Sequence, residues 1–145
     1  MVQITHTEID VQSVFGSVRS PEAGGIDVFI GTTRNHSGRR IVASLSYEAY
    51  EPMALKIMSR LEAEACVRWS LVKVALVHRL GEVPTGEASV VIAVSSAHRH
   101  ESFEACRFLI DQLKKEVPIW KTEQFADGSV ERSGSSHGVE SGGVV

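Results

Sequence analysis

The sequence predicts an α+β domain with a largely antiparallel sheet, two main helices and a short N-terminal helix. Three observations carry that expectation. Two long stretches repeat apolar residues at helical spacing, several shorter ones alternate apolar with polar residues, and neighbouring strands are joined by hairpin-length connections. Parallel strands need a crossover of a dozen or more residues, so short connections favour antiparallel pairing.

The elements follow in order. Thr7 and Asp10 have the spacing of a capping box, and Val11, Val14, Phe15 and Val18 then form one helical face that stops at Pro21. Ile26, Val28 and Ile30 alternate as a strand that leads into GTTRNHSGRR, a polar loop with Gly31 and Gly38. Ile41, Ala43, Leu45, Tyr47 and Ala49 alternate with Ser44, Ser46 and Glu48, a strand with one buried face. Pro52 suits a first helical turn, and Ala54, Ile57, Met58, Leu61 and Ala65 continue a helix to about Arg68. Val72, Val74, Leu76, His78 and Leu80 line one face of the next strand. The loop GEVPTGE separates it from a strand over 88–96, with Val90, Ile92 and Val94 inward. A helix from about Arg99 to Glu116 is stopped by Pro118, and a hairpin over 119–132 turns at Asp127-Gly128. The expected domain is 1–132, with the Gly/Ser-containing stretch 133–145 a flexible tail.

Composition narrows the function classes. The 145 residues are 43% apolar and 23% charged with a net charge of -3, which suits a soluble globular chain. A pI near 6.1 gives no general attraction for nucleic acid or an anionic membrane, so any anion site must come from a local cluster of cations. The longest apolar run, around Ala88 to Val94, is too short to cross a bilayer, and the N-terminus has no signal-peptide pattern. Cys66 and Cys106 stand singly with no CxxC spacing, as expected in a reducing cytoplasm.

Three constellations could carry chemistry. In LKKEVPIWK, residues 113–121, the helical wheel sends Lys115 to solvent and leaves Lys114 at the edge of the stripe formed by Phe103, Cys106, Leu109, Ile110 and Leu113. The chain then reverses at Val117-Pro118, so Lys121 can approach Lys114; both lysines could equally be solvated, Lys114 favouring the helix dipole. Trp120 alternates away from Lys121. In SSAHRHES, residues 95–102, His98 and Arg99 fall where free N–H groups at a helix start favour a phosphate or carboxylate. His78, His98 and His100 also admit a metal reading, although no carboxylate or cysteine accompanies them at ligand spacing. Thr33-Arg34-Asn35-His36 either closes over an anion or is a surface turn, and the glycines form neither a GxGxxG nor a Walker pattern.

In succession, GTTRNH, YEAYEPMA, VHRLGEVPTGE, VSSAHRHESFEA and LKKEVPIWKTE resemble the large, catalytic subunit family of molybdopterin synthase from about Gly25 to Arg132. The resemblance implies an α/β-hammerhead fold and a cytoplasmic sulfurtransferase of molybdenum-cofactor biosynthesis. Its substrate would be cyclic pyranopterin monophosphate, with no prosthetic group and no metal. Two sulfurs would come from the C-terminal thiocarboxylate of a small ubiquitin-like partner, within a heterotetramer built on a dimer of large subunits. Matched residue by residue, Lys121 and Lys114 become the catalytic lysines, Lys121 nearer the reaction and Lys114 polarising. Arg34, His98 and Arg99 would hold the phosphate. Thr32 and Thr33 would supply backbone contacts, and Thr122 and Glu123 would bind substrate. Arg39 and Arg40 fall outside the matched set, and Gly142-Gly143 stands two residues short of the end, unlike a sulfur-carrier tail. The rival reading is a non-catalytic module that binds a phosphorylated metabolite or an acidic peptide tail.

Overall fold

In the computed structural model, which describes residues 1–134, twelve elements follow one another. They are β1 (Val2–Thr5), α1 (Val11–Val18), β2 (Gly25–Thr32), β3 (His36–Ser37), β4 (Arg40–Ala49) and α2 (Glu51–Trp69). The second half adds β5 (Lys73–Arg79), β6 (Gly81–Val83), β7 (Ala88–Ser96), α3 (Arg99–Glu116), β8 (Ile119–Phe125) and β9 (Val130–Gly134). Strands β1-β5-β7-β2 make one sheet, antiparallel except for the β1–β5 pair. Strands β3-β4-β8-β9 make the other, with β6 also paired to β4. The α+β expectation holds.

The first sheet is covered on both faces. Val14 and Val18 of α1 pack on Ala75, Val77, Val91 and Ala93. On the other face Met58, Leu61 and Ala65 of α2 join Leu109 and Leu113 of α3 over Val74, Leu76, Ile92 and Val94. Every residue of β7 is consequently buried, which is why 88–96 reads as a nearly continuous apolar run. Each of the larger aliphatic side chains contributes about 1.5–3 kcal/mol when fully buried.

Several expectations need correction. Asp10, not Thr7, caps α1: its side chain accepts from the Ser13 N–H at 3.2 Å, while the Thr7 N–H donates to Thr5 Oγ1. In β4 a register shift between Val42 and Ser44 reverses the alternation. Val42, Leu45 and Tyr47 are buried, and Ile41, expected inward, is 65% exposed. Phe103, placed in the α3 stripe, is 56% exposed; Ser102, Ala105, Cys106, Leu109 and Leu113 form the buried face instead. β1, β3 and β6 were not anticipated, being two to four residues long. β9 runs to Gly134, past the expected end at 132, and residues 135–145 of the expected tail lie outside the described residues. Helix α2 ends as its local chemistry requires, with Ser70 in the left-handed conformation and its N–H bonded to the Cys66 carbonyl. Among the described residues no helix is long and apolar enough to cross a membrane.

Two glycines fix where α3 begins. A Cβ on Gly24 would lie 2.2 Å from the Ala97 carbonyl oxygen, and one on Gly25 would lie 3.2 Å from Arg99 Cα. The chain before β2 therefore presses directly against the start of α3. Gly24→Ala should lower stability by about 1–3 kcal/mol through backbone displacement. Gly16→Ala, with nothing within 4 Å, should be neutral or stabilising. Urea denaturation of both variants checks the pair, and equal midpoints would contradict the close packing.

Candidate active site

Helix α3 and the strand after it build the central feature. The Val117 N–H donates to the Leu113 carbonyl, Val117 and Pro118 are buried, and β8 starts at Ile119, so the chain turns sharply. Register in the second sheet then sets Lys121 opposite Tyr47. Lys115 points to solvent and Lys114 is half-buried, as the wheel predicts. The two lysines do meet: burial strips water from the Lys114 ammonium and the nearby Lys121 charge adds to this, bringing its pKa down to about 8. Glu123 shares Lys121's face of β8, and their charged atoms lie 3.8 Å apart. Thr122 falls on the opposite face, in register with Ser46 and Arg132, so it is not beside the lysine pair.

Around this corner the wall is polar and buried. His78 of β5 is 1% exposed, and its ring meets that of Tyr47 edge-on with centroids 5.2 Å apart. Ser89, near the buried Tyr47 hydroxyl, donates its Oγ–H to the Gly31 carbonyl at 3.3 Å. Arg79 pairs with Glu87 at 2.7 Å, and the Glu87 carbonyl accepts from the Thr33 N–H. Thr33 thus differs from expectation: its N–H and its C=O, which accepts from Gly86, are both engaged within the chain. What it retains is a buried Oγ1 without a hydrogen-bond partner. Thr32 and Arg34 are exposed at the end of β2 nearest this corner. Sequence reasoning missed Tyr47 and Ser89, read above only as strand residues, and weighed His78 only as an inward strand residue or a metal ligand.

His98 and Arg99 stand elsewhere. His98 is the N-cap of α3, Arg99 its first residue, and both are exposed. Sixteen residues of helix separate His98 from Lys114, roughly 24 Å at 1.5 Å per residue. Arg34 also lies far from them, because β2 pairs Gly25 with Ser96 at one end and Thr32 with Ala88 at the other. The chain therefore gathers Lys114, Lys121, Glu123 and the Thr32–Arg34 segment at one end and His98 with Arg99 at the other. The same separation divides His78 from His98 and His100, and among the described residues no three His, Cys, Asp or Glu side chains are grouped to hold a metal.

Neither cysteine is activated. Burial, and after it the Asp27 carboxylate, pushes the Cys106 thiol up to about 12. Cys66 is also raised, first by burial and then by Glu62. Arg40 is occupied structurally, over the Phe125 ring at 3.5 Å and paired with Glu131 at 3.1 Å.

Comparison with known proteins gives these residues a context. The family model described as MoaE protein matches residues 4–116. A molybdopterin synthase catalytic subunit 1 of Aedes aegypti is 48% identical over 128 residues, covering 88% of this chain and 83% of that protein. The molybdopterin synthase catalytic subunit of Bacillus subtilis (strain 168) is 43% identical over 126 residues, covering 87% and 80%. The crystal structure of molybdopterin synthase from Staphylococcus aureus superposes with a TM-score of 0.85 at 31% identity, covering 90% of this chain and 95% of that one.

The low Lys114 pKa has a consequence for stability. Between about 8 and 10.5 the unfolded chain binds more protons at this position than the folded chain, so the group's contribution rises with pH across that window. Below about 8 its penalty is fully present. Lys114→Met should therefore raise the melting temperature at pH 7, by on the order of 5 °C, relative to the exposed control Lys115→Met. The gap should shrink as pH climbs towards 10. A gap that is absent or independent of pH in thermal melts would contradict the buried-cation description.

Proposed function

The chain belongs to the MoaE protein family, and from that membership we infer that it is the catalytic subunit of a molybdopterin synthase. The observation that carries this reading is the convergence of Lys114 and Lys121 in one half-buried corner, at the positions matched to the family's lysines. In this proposal the enzyme is a sulfurtransferase of the reducing cytoplasm, where its two cysteines stay free. Its substrate is cyclic pyranopterin monophosphate. Sulfur arrives as the C-terminal thiocarboxylate of a small ubiquitin-like subunit, and two transfers make the dithiolene. Each transfer forms a carbon–sulfur bond on the substrate and breaks the one at the tail's acyl carbon, where water supplies the oxygen that leaves a carboxylate. Negative charge grows on the acyl oxygen meanwhile, beside a substrate that already carries phosphate. Fixed cations in a partly dry corner stabilise such charge best. Burial of Lys114 supports giving it the proton-transfer role, with Lys121 and its Glu123 partner as the electrostatic seat, the reverse of the division expected from sequence. A non-catalytic module would share the cations, but relatives named as catalytic subunits give it no support.

The same proposal includes a dimer of large subunits with a shared site. One chain keeps its two cationic groups too far apart for both to hold one small molecule. β2 is an edge strand, Ile26 and Ile30 on it are 37% and 41% exposed, and beside it lies an open groove between β2 and α3. That groove is lined by Val28, Phe29, Phe103, Arg107 and Ile110, near the midpoints of both elements. Two copies of β2 paired antiparallel would set Gly25 of one opposite Thr32 of the other. His98 and Arg99 of each copy would then face Arg34, Lys114 and Lys121 of the second, and the two-fold would make two such sites. A small subunit at each end completes a heterotetramer.

Reconstitution with the thiocarboxylated small subunit and the cyclic pyranopterin should yield dithiolene product, and Lys114→Ala or Lys121→Ala should reduce it at least 100-fold, roughly what a key electrostatic or acid–base group contributes. No product from the unaltered chain with both components intact would defeat the functional reading. For the shared site, Arg99→Ala and Lys121→Ala chains should each be inactive alone. After unfolding and refolding as a mixture they should recover about a quarter of the activity, since half the dimers are mixed and each carries one intact site. No recovery despite mixed dimers would place both residues in one chain's site.

A further inference from the structure

In the proposed site Arg34 serves the substrate phosphate from an exposed polar loop beyond the end of β2. The β2–β7 ladder shifts register between Gly31 and Thr32 and ends at the Thr32–Ala88 pair. Past that point the Thr33 N–H donates to the Glu87 carbonyl at 3.1 Å, and the Gly86 N–H donates to the Thr33 carbonyl at 2.8 Å. One residue after Arg34, the Asn35 carbonyl accepts from the Val42 N–H at 2.9 Å. Arg34 is thus bracketed, with Thr33 tied to the 84–87 turn and Asn35 tied to β4, while its own side chain stays exposed. The turn itself is closed by the Glu87 N–H donating to the Pro84 carbonyl at 3.1 Å. Gly86 holds its third position at φ 87°, the left-handed conformation that such a turn asks of glycine.

Pro84, Thr85 and Gly86 are exposed, so apolar packing reaches only Val83 and Ala88 on either side of the turn. The turn's inward tie is the Glu87 carboxylate, whose Oε1 accepts from Arg79 Nη1 at 2.7 Å. Arg79 is 9% exposed and is fixed by the sheet, in register with Thr5 of β1 and with its carbonyl accepting from His78 Nδ1 at 2.8 Å. We propose that Arg79 and Glu87 are positioning residues for Arg34: their ion pair fixes the 84–87 turn, and the turn, through both backbone groups of Thr33, fixes where Arg34 stands. Net stability is a poor reason for the pair, because desolvating a guanidinium offsets most of what its pairing contributes. Direction is what it supplies, since a carboxylate opposite an immobile guanidinium has one place to sit. The inference rests on the reading that Arg34 holds the substrate phosphate, but its first test needs no reaction.

That test is amide hydrogen exchange followed by NMR. Glu87→Gln, which keeps the shape of the side chain and removes its charge, should speed exchange at Thr33 and Gly86 at least about tenfold more than at Ile92, buried in the middle of β7. Gly86→Ala strains the turn without touching the ion pair, because an added Cβ meets nothing within 4 Å, and it should give the same local pattern. Equal acceleration at all three amides in Glu87→Gln, or none at Thr33 and Gly86, would make the pair a general stabiliser and overturn the proposal. The second measurement is steady-state turnover in the reconstituted complex. Both substitutions should raise KM for the cyclic pyranopterin roughly tenfold and leave kcat within about twofold, the signature of lost binding. In an Arg34→Ala background neither should raise KM further, and a full additional rise there would show that the pair acts on something other than Arg34. If the local exchange pattern holds while no chain gives product, the anchoring of Arg34 stands and the functional reading falls.

Discussion

The packing of α3 along β7 and β2 is the constraint on which the rest of this molecule depends. Ala105, Cys106, Leu109 and Leu113 hold the helix to the sheet, so its two ends are fixed relative to both strands. At one end Gly24 and Gly25 allow the start of β2 to press against the first turn of the helix. At the other end the buried Val117-Pro118 corner sends the chain straight into β8. Lys114 and Lys121 meet because that corner is short, and His98 and Arg99 are remote because the helix is long. Both placements follow from one helix.

The lysine corner is costly to fold. A half-buried ammonium beside a second ammonium opposes stability, and the chain holds it there with the aliphatic packing of α3 beneath and Pro118 behind. Such a placement is hard to explain as scaffolding, since an apolar side chain at 114 would pack without penalty. The β4 bulge belongs to the same arrangement. Without the register shift between Val42 and Ser44, the alternation that exposes Ile41 would not also turn Leu45 and Tyr47 inward towards His78.

Much of this was legible in the sequence, and the rest failed for identifiable reasons. Wheel geometry separates Lys114 from Lys115 because a helix period is a local property, and Pro118 marks the corner because proline cannot continue a helix. The bulge in β4 was hidden because one inserted residue changes parity without changing composition. β1, β3 and β6 are too short to show a period at all. The Asp10 cap lost to Thr7 because both types cap helices and only geometry chooses between them. His78 looked like any inward strand residue, since nothing local reveals that α3 brings Lys114 over it from a distant part of the chain. The separation of His98 from Lys114 was implicit in the helix length, but motif order alone does not say whether one site draws on both groups.

That separation bears on how the cations coexist. Within one chain the two groups lie roughly 24 Å apart, several Debye lengths at physiological ionic strength, so they repel one another negligibly. In the proposed dimer they approach across the two-fold, and their repulsion then opposes assembly. A phosphate and a thiocarboxylate tail placed between them reverse the sign of that contribution. Ligand and dimer must then favour one another by linkage, because whatever relieves the repulsion binds the assembled form better than the separate chains. A net charge of only -3 conceals this, since the cations of the proposed site are few and, in one chain, held far apart.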